Sequence, residues 1–158
     1  MKTKTFLLAC LLSGICLSQL SAQNGKNGNG AVAYWEPFNL EAPILAEDGT
    51  VLDMMDCTTS SHVQLHFKNG VLIRADYEAH GVAVARKTGE EFKYIEIGKQ
   101  DFYSWDAEGN PTGFDFFRVH LKGNHGTHLM IDAILDFTTW ETTITNVFWP
   151  GGKYWEGN

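Results

Sequence analysis

The chain has 158 residues, 44% of them hydrophobic, and its 12 Lys and Arg stand against 19 Asp and Glu for a formal charge of −7. An acidic balance without basic clusters excludes the surface by which proteins hold nucleic acid or anionic membranes. Size and apolar content suit a single domain with a core of its own.

The first 22 residues read as a secretion signal. Lys2 and Lys4 form a basic start, residues 6–17 are mostly apolar, and Leu20-Ser21-Ala22 is a small-residue exit. The apolar run is too short to span a bilayer stably. Cys16 follows the bulky Ile15, and Cys10 has almost no apolar run before it, so neither suits a lipid anchor. Removing the leader takes away two lysines and no acidic residue, leaving 10 basic and 19 acidic residues and a charge of −9. The sequence therefore places the protein in the periplasm or outside the cell. The lack of an Asn-X-Ser/Thr acceptor fits a bacterial source. Cys57 is the one cysteine beyond the leader, so an internal disulfide is excluded and the thiol is expected in the core. Residues 23–30, QNGKNGNG, form a flexible spacer, and residues 31–158 a single β domain.

Residues 31–38 and 51–55 are expected as strands, with a short helix near 39–45. The strongest local signal is HVQLHFKNGVLIRADYE, residues 62–78, two alternating runs around Asn69-Gly70. A two-residue turn would mix apolar and polar residues on both faces. A three-residue loop, Lys68-Asn69-Gly70, pairs Phe67 with Val71 and puts Val63, Leu65, Phe67, Val71 and Ile73 on one face, so that loop is expected. Strands at 82–86 and 92–97 follow, joined through Lys87-Thr88-Gly89-Glu90-Glu91. Residues 101–105 turn through 106–113 into FDFFRVHLKGNHGTHLMIDAILDF, residues 114–137. There a loop of Asn124-His125-Gly126 pairs Gly123 with Thr127 and sets Phe117, Val119 and Leu121 against Ala133, Ile131 and Leu129. Residues 140–149 form a last strand, stopped by Pro150-Gly151-Gly152. The fold class is all-β, an antiparallel meander of about 8–10 strands in a closed or curled barrel, with a β-sandwich as the alternative.

No nucleophile elbow, zinc-protease helix, CxxC pair or phosphate loop is present. The candidate catalytic residues are His62, Arg74 and Asp76, with Asp76 opposite His62 able to act as an acid/base dyad or as a plain cross-strand ion pair. His120 and His128, with Asp132, are the candidate metal ligands. The alternative is a polar outer face, and no cofactor or metal is assigned. Asp132 and Asp136 share a face but lie about 13 Å apart along a strand, too far for a glycosidase pair. Asp115 opens the apolar face of Phe117 and Val119 and is expected to reach water or cap a turn. Tyr103, Trp105, Trp140 and Trp149 are the candidate ligand-binding aromatics, and the paired tryptophans of the terminal turn, Trp149 and Trp155, are expected half exposed.

These residues support an exported barrel-like module that binds a small apolar or saccharide ligand without covalent chemistry. One alternative is a barrel enzyme, an isomerase, cyclase or hydrolase with a polar cluster in an apolar cavity. Another is an extracellular surface or matrix protein. The implied partner is a small-molecule or saccharide ligand, with no nucleic acid and no integral membrane segment in the mature chain.

Overall fold

A computed structural model describes residues 29–100, 104–107, 111–139, 141–150 and 153–157. The leader and most of the spacer lie outside the described residues. Nine strands follow in chain order: β1 (Gly30–Leu45), β2 (Val51–Lys68), β3 (Val71–Ala85), β4 (Glu91–Gln100), β5 (Ser104–Trp105), β6 (Pro111–Thr112), β7 (Phe114–Gly123), β8 (His128–Asp136) and β9 (Glu141–Phe148). Seven of them form one antiparallel sheet in the order β1-β2-β3-β4-β7-β8-β9, and β5 and β6 pair separately. The architecture is the expected antiparallel meander, curled but not closed, with β1 and β9 as its edges. No helix among the described residues is long and apolar enough to cross a membrane.

The curl follows from the burial pattern. Alternate residues along the strands enter a main core that takes Ala42 and Ile44 from β1, Met55 and Cys57 from β2, and Leu121 and Leu129 from β7 and β8, and a bulge at the end of β1 adds Leu45. Ile144 and Val147 of β9 pack against the same cluster. A flat seven-stranded sheet would hold its edges about 29 Å apart. It would also leave this face wet, because no second layer among the described residues covers it. Bending the sheet around its own inner face is the way these residues reach exposures of 0–6%. The inner face of β3 makes room for the bend with Ala79, Gly81, Ala83 and Ala85. At Gly81 a Cβ would lie 2.1 Å from the Thr58 carbonyl oxygen, so a side chain there would push β2 and β3 apart.

Several expectations change. Residues 39–45 are not helical but continue β1, because Leu40, Ala42 and Ile44 alternate inward. Pro37 and Pro43 also fit β1. Both are odd-numbered, so their missing N–H groups fall on the same side of an edge strand, where no ladder bond is lost. Residues 56–61 join the expected strand at 51–55 to the first hairpin strand as one continuous β2. Cys57, Thr59 and Ser61 point inward, while Asp56 and Thr58 point out.

The first hairpin has the two-residue turn rather than the three-residue loop. Lys68 pairs with Val71, and Asn69 and Gly70 have φ of 54° and 78°, the left-handed pair that matches strand twist. The conflict over faces is resolved inside β3 instead. A bulge leaves Ile73 without a partner between the pairs His66–Arg74 and Phe67–Leu72, and this resets the apolar register. Leu65 and Phe67 are buried as expected, in a small cluster with Val32, Tyr34 and Val63. Val71 and Ile73 instead lie 52% and 45% exposed. The second hairpin follows the expected register throughout, with Phe117 opposite Ala133, Val119 opposite Ile131 and Leu121 opposite Leu129. The Gly123 N–H donates to the Thr127 carbonyl at 2.7 Å across the loop.

One end of the curled sheet is tied together by buried carboxylates. Glu90 accepts from the N–H groups of His125 and Thr127 at 3.2 and 3.3 Å and from the Thr127 hydroxyl at 2.5 Å. Asp53 accepts from the Met54 and Lys87 N–H groups and, at 2.8 Å, from the Tyr154 hydroxyl. The C-terminal segment is therefore laced across this end, with Trp155 stacked on His125 at 3.9 Å between ring centroids.

The burial contrast is testable. Leu65→Ala should cost about 2–5 kcal/mol. Ile73→Thr, which keeps the β-branch on an exposed bulge, should cost under about 0.5 kcal/mol. Urea denaturation of the two variants measures the difference, and equal midpoints would contradict the bulged register.

Candidate functional site

On the inner face a row of polar residues separates two apolar clusters. Cys57, Ala79, Tyr94 and Val119 belong to the main core, and Leu65 and Phe67 form the separate cluster. Between the two, one cross-strand row reads Glu36, Ser61, Ala79, Glu96 across β1 to β4. Thr59 on β2 and Asp115 on β7 flank it. Thr59 satisfies its hydroxyl on the Phe38 carbonyl at 2.8 Å. Asp115 is only 1% exposed, so it neither reaches water nor caps an exposed turn as its strand-end position suggested.

Glu96 is the centre of this belt. Its inward direction follows from alternation along Phe92, Tyr94 and Glu96, while Lys93 and Ile97 face outward. The Tyr77 hydroxyl donates to Glu96 Oε1 at 2.8 Å, and the Tyr94 hydroxyl donates to Oε2. Tyr77 lies against the backbone of Gly98, where a Cβ would come within 2.0 Å of its ring. Glycine is therefore required there for the ring to reach Glu96. Burial raises the Glu96 pKa above its ordinary 4.5. The two tyrosine hydroxyls oppose the shift, and the charge of Asp115 adds to it. Burial, with the nearby Glu96, also pushes the Cys57 thiol up to about 12.

Two hydroxyls in the interior remain without an acceptor or donor among the described residues. Ser61 Oγ and Thr142 Oγ1 are buried and make no hydrogen bond there. Ser61 is 0% exposed and sits two strands from Glu96, about 10 Å between backbones, with only the Ala79 methyl between them. A buried hydroxyl left unpaired costs about 1–3 kcal/mol, so such atoms call for a partner.

The candidate catalytic residues of the sequence lie on the outer face instead. His62 stacks on Trp35 with centroids 4.8 Å apart and pairs in register with Glu78, so it does not meet Asp76. Asp76 holds Arg74, Nε to Oδ1 at 2.9 Å, and His66, Nε2 to Oδ2 at 3.3 Å. This cluster is partly exposed and neutralises itself, as surface ion pairs do. Of the candidate metal ligands, His120 and His128 are brought together with ring centroids 4.6 Å apart. Asp132 is turned away from them to Arg118, with Nε to Oδ1 at 2.6 Å and Nη2 to Oδ2 at 2.9 Å. Arg118 holds the Asp132 carboxyl below its usual range. Burial and the neighbouring His128 lower the pKa of His120. Among the described residues no three His, Cys, Asp or Glu side chains converge as a metal-holding group. Trp149 is half-buried and packs against the main core. Tyr103 and Trp140 lie outside the described residues, and so does the side chain of Trp105.

The sequence carried one signal for Glu96: an acidic residue in phase with Phe92 and Tyr94. The opposite phase, Ile95 and Ile97, is also apolar, so alternation alone left the buried face undecided. Compared with known proteins, the chain matches no family model, no curated protein and no solved structure.

Two measurements check this geometry. The raised pKa of Glu96 means that its charged form is disfavoured by folding. Below pH 4.5 the group is neutral in both states and there is no penalty. As pH rises from 4.5 through the folded value a penalty grows, then levels off. Wild type should therefore lose stability relative to Glu96→Gln over that rise, with a constant gap above it. Urea midpoints between about pH 3.5 and 9 test this, and a gap independent of pH would contradict it. Cys57 should resist a disulfide-exchange reagent at about pH 8 in the native state and react at once in denaturant. Rapid native labelling would place the thiol outside the core.

Proposed function

We propose that this protein is a barrel-like binding module for a small, mostly apolar molecule that carries a hydrogen-bonding oxygen. The observation that supports this reading best is the buried Ser61 hydroxyl, which makes no hydrogen bond among the described residues, in one cross-strand row with Glu96 and diagonal to Tyr77, beside the apolar clusters of the inner face. Small-molecule sites combine apolar walls with a few placed polar groups, and the inner face has that composition. Tyr77 is half-buried while Glu96 lies behind it, so the tyrosine is the edge from which a ligand oxygen meets the belt. A saccharide, with hydroxyls on every side, would leave most of its polar groups unpaired against these walls.

Glu96 also favours a second reading, an isomerase, cyclase or hydrolase. A carboxyl whose pKa is raised by burial, bracketed by two tyrosine hydroxyls, is suited to exchange a proton with a bound carbonyl or ether oxygen. The polar residues on the outer face play no part in either reading.

Medium-chain ketones and alcohols, the matching alkanes and an oligosaccharide, titrated by calorimetry, separate these ligand classes. The oxygenated apolar compounds should bind best. Ser61→Ala and Tyr77→Phe, each removing one hydroxyl, should weaken them about three- to tenfold while leaving alkane binding unchanged. If nothing binds below about millimolar, or both variants bind as wild type does, the interior-site reading fails. Deuterium exchange beside the carbonyl of a bound ketone, lost in Glu96→Gln, would favour the enzyme over the binder.

A further inference from the structure

The outer face of β7 and β8 carries a separate cluster that none of the above uses. We propose that His120, His128 and Met130 form a binding site for copper(I).

The register places the three side chains on one face at neighbouring positions. His120 is directly opposite Met130, Lys122 is opposite His128, and His128 and Met130 are two residues apart on β8. The two imidazoles are tilted by 33°, and their Nε2 atoms meet. Two ring nitrogens aimed at one point have two satisfactory states. In one, a single tautomer donates an N–H to the other ring. In the other, both neutral rings turn a lone pair to a shared cation. Met130 supplies a third donor. Directly opposed side chains have Cβ atoms about 5 Å apart, and the unbranched thioether reaches across that distance readily.

The donor set chooses the ion. Two imidazoles and a thioether carry no charge and are soft, which suits copper(I) over magnesium, calcium or manganese. The surroundings weigh the same way. Lys93 and Lys122 lie beside His128 in register, and Arg118 follows on β7, so a single positive charge is tolerated better than two. Asp132, the carboxylate that would make the site harder and more anionic, has both oxygens engaged by Arg118. All three donors are partly exposed, which leaves an entry path, and all sit on paired strands, which hold their spacing. The histidines were legible as candidates in the sequence. The second hairpin's register, legible in the same way, already sets Met130 opposite His120, but a strand methionine reads as packing rather than as a donor.

The test is an anaerobic titration of the whole reduced chain with copper(I) against a chromophoric copper(I) chelator. A parallel titration uses zinc(II) and a zinc-responsive dye. One copper(I) per chain is expected. His120→Ala and His128→Ala should each weaken it at least about tenfold. Met130→Leu should weaken copper(I) by about tenfold and remove the sulfur signal from the copper X-ray absorption spectrum. Unchanged urea midpoints would show that the variants stay folded, since all three side chains are on the outer face. Copper(I) held equally well by the histidine variants would overturn the site and direct attention to Cys57. Loss in the histidine variants with Met130→Leu unaffected would overturn the three-donor assignment. Zinc(II) bound more tightly than copper(I) would overturn the choice of ion.

Discussion

A single sheet has to bury one face of itself, and everything else in this fold answers to that constraint. With no helix layer and no facing sheet among the described residues, the seven main strands must curl until their inner side chains meet. Large residues on β4, β7 and β8 need small ones across from them, and the Ala79, Gly81, Ala83 and Ala85 stripe on β3 provides the space. The same curl gives an interior in which a polar row separates two apolar clusters, and any polar group on the inner face must find its partners inside.

The three best-defined buried carboxylates solve that problem in different ways. Glu90 and Asp53 sit at one end of the curled sheet and accept from backbone N–H groups. Those N–H groups can only donate and are fixed by the backbone, so the carboxylate oxygens that meet them tie the hairpin loops and the C-terminal segment together. Glu96 accepts from tyrosine hydroxyls alone among its described contacts. A hydroxyl both donates and accepts, so Tyr77 and Tyr94 can serve the charged and the neutral acid alike. This difference in donors separates two carboxylates that tie loops and the C-terminal segment together from one held by side-chain hydroxyls alone among the described contacts. The buried Ser61 hydroxyl in the same row strengthens the distinction.

The outer face shows why lists of polar residues mislead in an antiparallel sheet. His62, Arg74, Asp76, Arg118 and Asp132 share the residue types of active sites. They occupy the solvent side of their strands, where neighbours on the same or the adjacent strand satisfy them: Asp76 takes Arg74 and His66, Arg118 takes Asp132, and His62 stacks on Trp35. Such exposed pairs stabilise little. The His120 and His128 pair differs because two like groups meet there, and neither neutralises the other.

The sequence by itself determined the class and much of the pairing: an all-β meander, the second hairpin to the residue, and the burial of Leu65, Phe67 and Cys57. These are local properties. Period-two alternation and turn chemistry act within about ten residues and need no knowledge of the rest of the chain. The tertiary structure decided what local rules leave balanced. It set the bulge at Ile73, since a two-residue turn and an apolar face could both be kept only by inserting a residue in β3. It extended β1 through Pro43, because an edge strand has spare N–H positions. It chose the Tyr94–Glu96 face of β4 over the equally apolar Ile95–Ile97 face, because only the curl defines which side is inside. The candidate site consists of such choices. Ser61, Tyr77, Glu96 and Asp115 come from four strands, and what joins them is a register summed across the sheet, which no stretch of sequence contains.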